Sequence, residues 1–552
     1  MAIKLPIWHN KYNRTRCLCN QFPILTLRKN YFWKTPSSLK YKQFILETAL
    51  MFLKSTTAYN QLDRKGFTME QSHSARASQI SRRDFLQALG GTAAGISLAP
   101  DKLLGIISSA ETGSRQKTTA TVRGAFIYPP TEFLKQDGYY SWPGSSFDAE
   151  GRQKQYAAKI KEIEQKLGMR ISMDSTPLDD AETVARFIDD VKQSKPDGLL
   201  LIPFKKGHWE HVTRIVEEAK LPTVVLATLG VLLVDHISQL HRKSGVYLIS
   251  SPDNLDAVED GMKMIKTACW MRESRIVCIA GSEVKETAVP HLGTQVRTIP
   301  GERFVEEFNR TEVTKAVKKL ADAYLKNAKK VIQPTKADIL DAAKTYFVLK
   351  QIIETEQADA VMMDCLPGLR KPHKHPPPCM GFMSLRDEGI PAGCQADLNT
   401  TLTLMIVQQL FGKPGFQQNS SMETERNHYF GAHCTCPSKL SGIKGPAEPY
   451  ILMSHAEAGW GCVPRVLWRT GQEVTMALYL SEKTPLMHIY SGKVVACPDI
   501  PPAGGCRTNV EITINEVDDV CDVKGMHQVI FYGNHARQLR TFCRLYGINV
   551  VT

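Results

Sequence analysis

The stretch GLLLIP at residues 198–203 is apolar throughout, ends in proline, and lies between two segments with helical spacing near 180–194 and 208–219. A short unbroken apolar run in that setting reads as a strand buried on both faces, as strands of a parallel sheet are. Outward from it, Gly124–Tyr128, Arg170–Met173 and Thr223–Ala227 repeat the pattern, with a further helix near 151–167. Strands alternating with amphipathic helices imply a sheet covered on both faces, here an N-terminal α/β domain over 120–235. A second α/β domain over 236–450 is expected from Val246–Ser250, a helix near 255–269, Arg275–Ala280, helices near 312–328 and 336–355, and Ala360–Asp364.

After residue 450 the rhythm shortens to Glu473–Leu480, Met487–Val495, Asn509–Ile514 and Gln528–Phe531, with turn residues between them. A helix opened by Gly533-Asn534-His535 runs to Tyr546 before a last strand, Ile548–Val551. The expected fold class is α/β: two doubly wound, Rossmann-like domains followed by a small β-rich, barrel-like domain over 451–552. No repeat at a fixed period argues for a solenoid.

Length and charge narrow the classes of function. The 552 residues suffice for about three or four domains, and 23% charged with 43% apolar residues is the balance of a packed protein. The formal charge of +13 is concentrated: residues 1–68 hold 12 Lys and Arg against Glu47 and Asp63, a net +10 that leaves +3 for the rest. So small an excess argues against a nucleic-acid groove.

Residues 1–68 show no sustained helical or strand period and read as a non-core leader or a misassigned start. Residues 69–110 have the three parts of an export signal. Arg76, Arg82 and Arg83 supply charge, Phe85–Ala99 is a mildly apolar run, and Ser108-Ser109-Ala110 offers a small-residue cleavage site. Ser81-Arg82-Arg83-Asp84-Phe85-Leu86 resembles the twin-arginine motif, so the expected partner is that export machinery and the expected location periplasmic or extracellular. The apolar run of about 15 residues falls short of the roughly 20 that a spanning helix needs, so no stable membrane span is expected.

Twelve cysteines lie beyond residue 110, ten of them after residue 364. In an oxidising compartment Cys497 and Cys506, which bracket a Pro/Gly-rich loop, suit a local bridge. His433-Cys434-Thr435-Cys436 has the residue types of a metal cluster but no second pair at zinc-finger spacing.

The segment with most chemistry in it is Cys394-Gln395-Ala396-Asp397-Leu398-Asn399, after Gly389-Ile390-Pro391-Ala392 and before an apolar helix, Phe411-Gly412-Lys413-Pro414 and Asn419. With Gly533-Asn534-His535 near the carboxyl end, it resembles the metal-site region of the L-fucose isomerase-like sugar isomerases, over roughly residues 122–552. There a Glu opens the helix, an Asp follows 24 residues later, and a His near the carboxyl end completes the set. Gln395 and Asn419 stand where those carboxylates stand, and His535 where the His does.

The resemblance implies an aldose–ketose isomerase, an intramolecular oxidoreductase of carbohydrate metabolism. In such enzymes a divalent cation, often Mn²⁺, polarises the two reacting oxygens while a carboxylate moves the proton. It implies metal ligands at His535, Gln395 and Asn419, catalytic positions at Gln395, Asn419 and Asp397, sugar contacts at Asp364 and His433, and a homo-oligomer. Amide oxygens can coordinate a cation but carry no charge, and an amide is no general base. Retention of Mn²⁺ or another divalent cation, and of catalysis, is therefore open. Asp397, Glu423, Glu425 and Asp364 are the acids that could supply the missing charge, although Asp397 also reads as a helix-start carboxylate and the two glutamates as surface charges. His428 and His455 are further imidazoles, and Lys371, His373, Lys374 and His375 make the loop after Asp364 basic. Three functions compete: an isomerase-like enzyme with an altered metal site, an exported sugar-binding protein without turnover, and a transporter-type periplasmic sugar binder.

Overall fold

Five parallel strands make the first sheet, in the order Arg170–Met173, Thr121–Ile127, Gly198–Pro203, Thr223–Thr228, Val246–Ser251. The computed structural model describes residues 117–137, 147–228, 231–499 and 505–552. The expected leader at 1–68 and signal at 69–110, with Arg82 and Arg83, lie outside them. Alternate side chains of the strands serve two cores: Val122, Leu200 and Val224 pack on one face, Leu199, Leu201 and Val225 on the other. GLLLIP is the central strand and is buried at every position, as its lack of alternation requires.

A second sheet runs Ala392–Cys394, Ala360–Met363, Arg275–Ile279, Gln295–Ile299, Lys285–Ala288, parallel except for the last strand. The third is a closed barrel of six antiparallel strands. From Glu473–Leu480 it passes through His527–Tyr532, Phe416–Glu423, His428–His433, Thr508–Ile514 and Leu486–Ala496, which pairs back with the first. Closure leaves none of these six with an open edge. Phe416, Tyr429, Met476, Tyr490, Val510 and Ile530 share one core cluster, the packed filling expected inside so small a barrel. Among the described residues, no helix is long and apolar enough to cross a membrane.

Two strands belong elsewhere than expected. Val246–Ser251, placed at the head of the second domain, is the last strand of the first sheet. Its composition suits either sheet, and the free edge of Thr223–Thr228 decides. The hairpin at 416–433 falls within the expected second domain but supplies two barrel strands. Its first strand, FQQNSSME, lacks an apolar period, because the buried Gln417 and Gln418 are held by hydrogen bonds rather than by apolar packing.

The helix Leu398–Phe411 joins the second sheet to the barrel. Asp397 caps its start by accepting from the Thr400 amide (3.0 Å), and Gly412 ends it at φ 60°, a left-handed conformation cheap only for glycine. Leu402, Leu404, Met405 and Ile406 pack against Ala477, Tyr479, Val529 and Phe531 on the outer wall of the barrel. A Cβ at Gly393 would stand 1.9 Å from Thr401 Oγ1, so helix and sheet can approach this closely only through glycine.

Candidate functional site

The carboxyl ends of the strands Ala360–Met363 and Ala392–Cys394 lie side by side, with Met363 paired to Cys394, so Asp364 and Gln395 follow on neighbouring strands. Crevices at such strand ends are where open parallel sheets bind ligands. Asp364 borders a cavity of about 500 Å³ with Gly281, Gly301, Glu302, Lys374 and His375. Gln395 and Ala396 both take positive φ, 57° and 50°. Two successive non-glycine residues there cost roughly 1–2 kcal/mol each, the kind of local strain that clusters at binding and catalytic sites. The turn is held by Ala396 N–H donating to Met363 O (3.0 Å) and Asp397 N–H to Cys394 O (3.3 Å).

Opposite this edge, Asn419 and His527 face each other across antiparallel barrel strands. His527 Nδ1 donates to Asp397 Oδ2 (2.8 Å), and its Nε2 is 2.7 Å from Asn419 Oδ1. The result is a row, Asp397–His527–Asn419, from helix start to barrel wall. Burial pushes the Asp397 carboxyl up, but hydrogen bonds from His527 and Thr400 outweigh it and hold the group below the usual carboxylate range. An amide at 419 has a particular merit here. It can offer its oxygen to an imidazolium or its N–H to a neutral ring, whereas a carboxylate could only accept.

His433 lies beside the row, its ring 5.9 Å from that of His527. Thr435 Oγ1 contacts its Nδ1 (3.1 Å), while its Nε2 is buried with no partner among the described residues. Burial, reinforced by His527, Arg386 and His455, pushes its pKa down to about 3, so the ring is neutral at any ordinary pH. A neutral imidazole with an unused nitrogen can accept from or donate to a ligand hydroxyl.

One buried guanidinium joins these parts. Arg386 is 1% exposed and donates to Ala392 O before the Gln395 turn, to Thr435 O beside His433, and to Gln417 Oε1 (3.2 Å) on the strand of Asn419. The Gln417 amide also accepts from Cys394 N–H (2.8 Å) and donates to Cys394 O (3.1 Å), pairing with the edge strand as another strand would. Burial without a carboxylate partner lowers the Arg386 pKa to about 10.

His535, expected as a ligand, is not in this cluster. It follows Tyr532, at the other end of the strand that begins with His527, and five residues of strand span about 17 Å. Its ring stacks on Phe411 (4.4 Å) and Phe531 (5.9 Å), and burial with nearby Lys413 lowers its pKa to about 4. His527, not His535, lies against Asp397 and Asn419; no motif marks it, since it lies in a strand whose apolar part begins only after it. Glu423 pairs with Arg426 (2.7 Å) at the hairpin end, four residues or about 13 Å from Asn419, and Glu425 is exposed there. His428 pairs with Glu511 (2.8 Å), and His455 borders a separate cavity with His373. The expected Cys497–Cys506 bridge is not formed: Cys497 Sγ donates to Asn509 O (3.1 Å), while Cys506 is hydrogen-bonded to Cys434. Among the described residues no three His, Cys, Asp or Glu side chains are grouped to hold a metal ion, His433-Cys434-Thr435-Cys436 included. No protein-family model matches this sequence, and no curated protein matches it.

Proposed function

We propose that the chain is a carbohydrate protein of L-fucose isomerase-like build, with two Rossmann-like domains before the barrel. In this reading it binds a sugar at the Asp397–His527–Asn419 row without the metal-dependent aldose–ketose chemistry of that family. The observation that carries it is the row itself, with the unpartnered His433 Nε2 beside it. Carboxylate, amide and neutral imidazole side by side are groups that recognise vicinal hydroxyls by paired donation and acceptance.

The donors fit a divalent cation poorly. Gln395 and Asn419 are neutral, and the one anion, Asp397, is committed to His527 and Thr400. Asn419 Oδ1 and His527 Nε2 satisfy each other. Hard cations such as Mn²⁺ favour several charged oxygens, and the row offers one carboxylate that is already engaged. The motif at Arg82 and Arg83 supports export of such a binder, and the resemblance supports a homo-oligomer.

A specific observation favours a second reading. The 2.8 Å Asp397–His527 pair is an oriented carboxylate–imidazole couple, and with Asn419 turned so that its amide N–H faces the ring, Nε2 is the unprotonated nitrogen, placed to take a proton from a bound sugar that displaces the amide. An assay of the native protein with Mn²⁺ and L-fucose separates the two. No ketose above background, with measurable gain in Gln395→Glu/Asn419→Asp, is expected; metal-dependent turnover by the native chain would refute the binder. Arg82→Lys with Arg83→Lys should keep the protein in the cytoplasm; unchanged export would remove the signal reading.

A further inference from the structure

Cys434 follows His433 at the end of its barrel strand, and Cys506 stands two residues before Thr508, the partner of His433 in the antiparallel ladder. The ladder thus delivers both cysteines to one end of the same strand pair. They pack together with Cys379 and Val463, and their thiols are hydrogen-bonded to each other. Their surroundings differ. Cys434 is 2% exposed, while Cys506 is only partly buried. The hydrogen bond from Cys506, then the Arg507 and Ala456 amides and the Arg507 charge, hold Cys434 below the usual thiol range against its burial. Cys506, which donates that bond, is pushed well above the range.

We propose that Cys434 and Cys506 are a thiol–disulfide site, which a small-molecule disulfide such as oxidised glutathione converts to an intrachain bridge. The Cys506 proton passes along the hydrogen bond to Cys434, and the Cys506 thiolate attacks one glutathione sulfur; the S–S bond of glutathione breaks, and the departing thiolate takes the proton now on Cys434. The Cys434 thiolate then attacks Cys506 Sγ, forming the protein disulfide and expelling the second glutathione as thiolate. Two protein thiols are oxidised by two electrons, and one oxidised glutathione becomes two reduced molecules. Closing the two sulfurs to the bond length of about 2.05 Å asks for movement only at the end of one strand pair, where the ladder already brings Cys434 and Cys506 into one cluster. The bridge fastens the loop after His433 to the segment entering Thr508–Ile514. Cys365 and Cys394 serve as an internal contrast: their sulfurs are 3.7 Å apart, but at 1% and 3% exposure neither meets an oxidant.

The test is made on the full chain in its native state. It is incubated with oxidised glutathione, its free thiols are alkylated, and tryptic peptides are mapped without reduction. The expected product joins peptide 427–439 to peptide 494–507 through Cys434 and Cys506, with Cys365 and Cys394 alkylated. A loop closed within 494–507 between Cys497 and Cys506, a stable glutathione adduct on Cys506, or alkylation of both Cys434 and Cys506 would each overturn it. Cys434→Ser should trap glutathione on Cys506; if that variant fails to fold, the wild-type cross-link still decides.

Discussion

One barrel strand, His527–Tyr532, has a histidine at its start and another three residues past its end, and the two live in opposite chemistry. His527 is hydrogen-bonded at both nitrogens to polar side chains, whereas His535 lies between aromatic rings. Sequence context favoured His535, which opens a helix after Gly-Asn. The fold favours His527, because antiparallel register sets it opposite Asn419. A motif reports local backbone; a site needs convergence of chain segments far apart, here 397, 419, 433 and 527.

The largest effect expected at the His527 end comes from Arg386. Arg386→Met leaves Ala392 O and Thr435 O buried without that donor and Gln417 Oε1 with the Cys394 N–H alone, which should cost about 3–5 kcal/mol in denaturant unfolding. A loss under 1 kcal/mol would mean that the seam between sheet and barrel is held elsewhere.

Next comes the direct exchange of roles. His527→Ala should weaken sugar binding by tenfold or more, about 1.4 kcal/mol, in titration calorimetry. His535→Ala should leave affinity alone and lower stability by about 1 kcal/mol through lost ring stacking. The reverse pattern would restore His535 as the ligand.

Acidity sharpens the contrast further. Because the folded-state pKa of His433 is depressed to about 3, the unfolded chain binds a proton at higher pH than the folded one. Stability from this group is therefore present above about pH 6.5 and lost as pH falls towards about 3. His433→Gln should flatten the acid limb of a stability–pH curve, and an unchanged limb would count against its burial as a neutral ring. Asp387 runs the other way: burial, against hydrogen bonds from Ser438 and Lys439, raises its carboxyl to about 6. Its folded form holds a proton that the unfolded chain has already released. Stability thus falls as pH rises from about 4 to about 6, and Asp387→Asn should remove that slope.

The smallest effect is also the most local. Asn419→Asp puts a second carboxylate on His527 in place of the amide, so the ¹⁵N signals of the His527 ring should move from their native positions, read by NMR. Unmoved ring signals would show that residue 419 does not touch the ring in solution.

Much of the frame was legible because period and composition carry it. GLLLIP could only be a central strand, and Glu473–Leu480, Leu486–Ala496 and Thr508–Ile514 are where short apolar alternation placed them. The polar strand Phe416–Glu423 was not legible, since its glutamines are buried against partners that only the fold supplies. Of the site, Gln395, Asp397 and Asn419 could be picked out from one local segment. His527 and Arg386 could not, as nothing near them in sequence marks a histidine reaching across the barrel or an arginine buried among carbonyls. The same limit applies to Cys506, whose partner is 72 residues away rather than nine.

The most direct measurement is NMR of the histidine side chains, labelled with ¹⁵N in the native full chain, during titration with L-fucose and no added metal. Saturable shifts of the His527 and His433 ring nitrogens are expected, while His535 stays still. Shifts at His535 with His527 and His433 silent, or a response at His527 that requires Mn²⁺, would contradict this expectation.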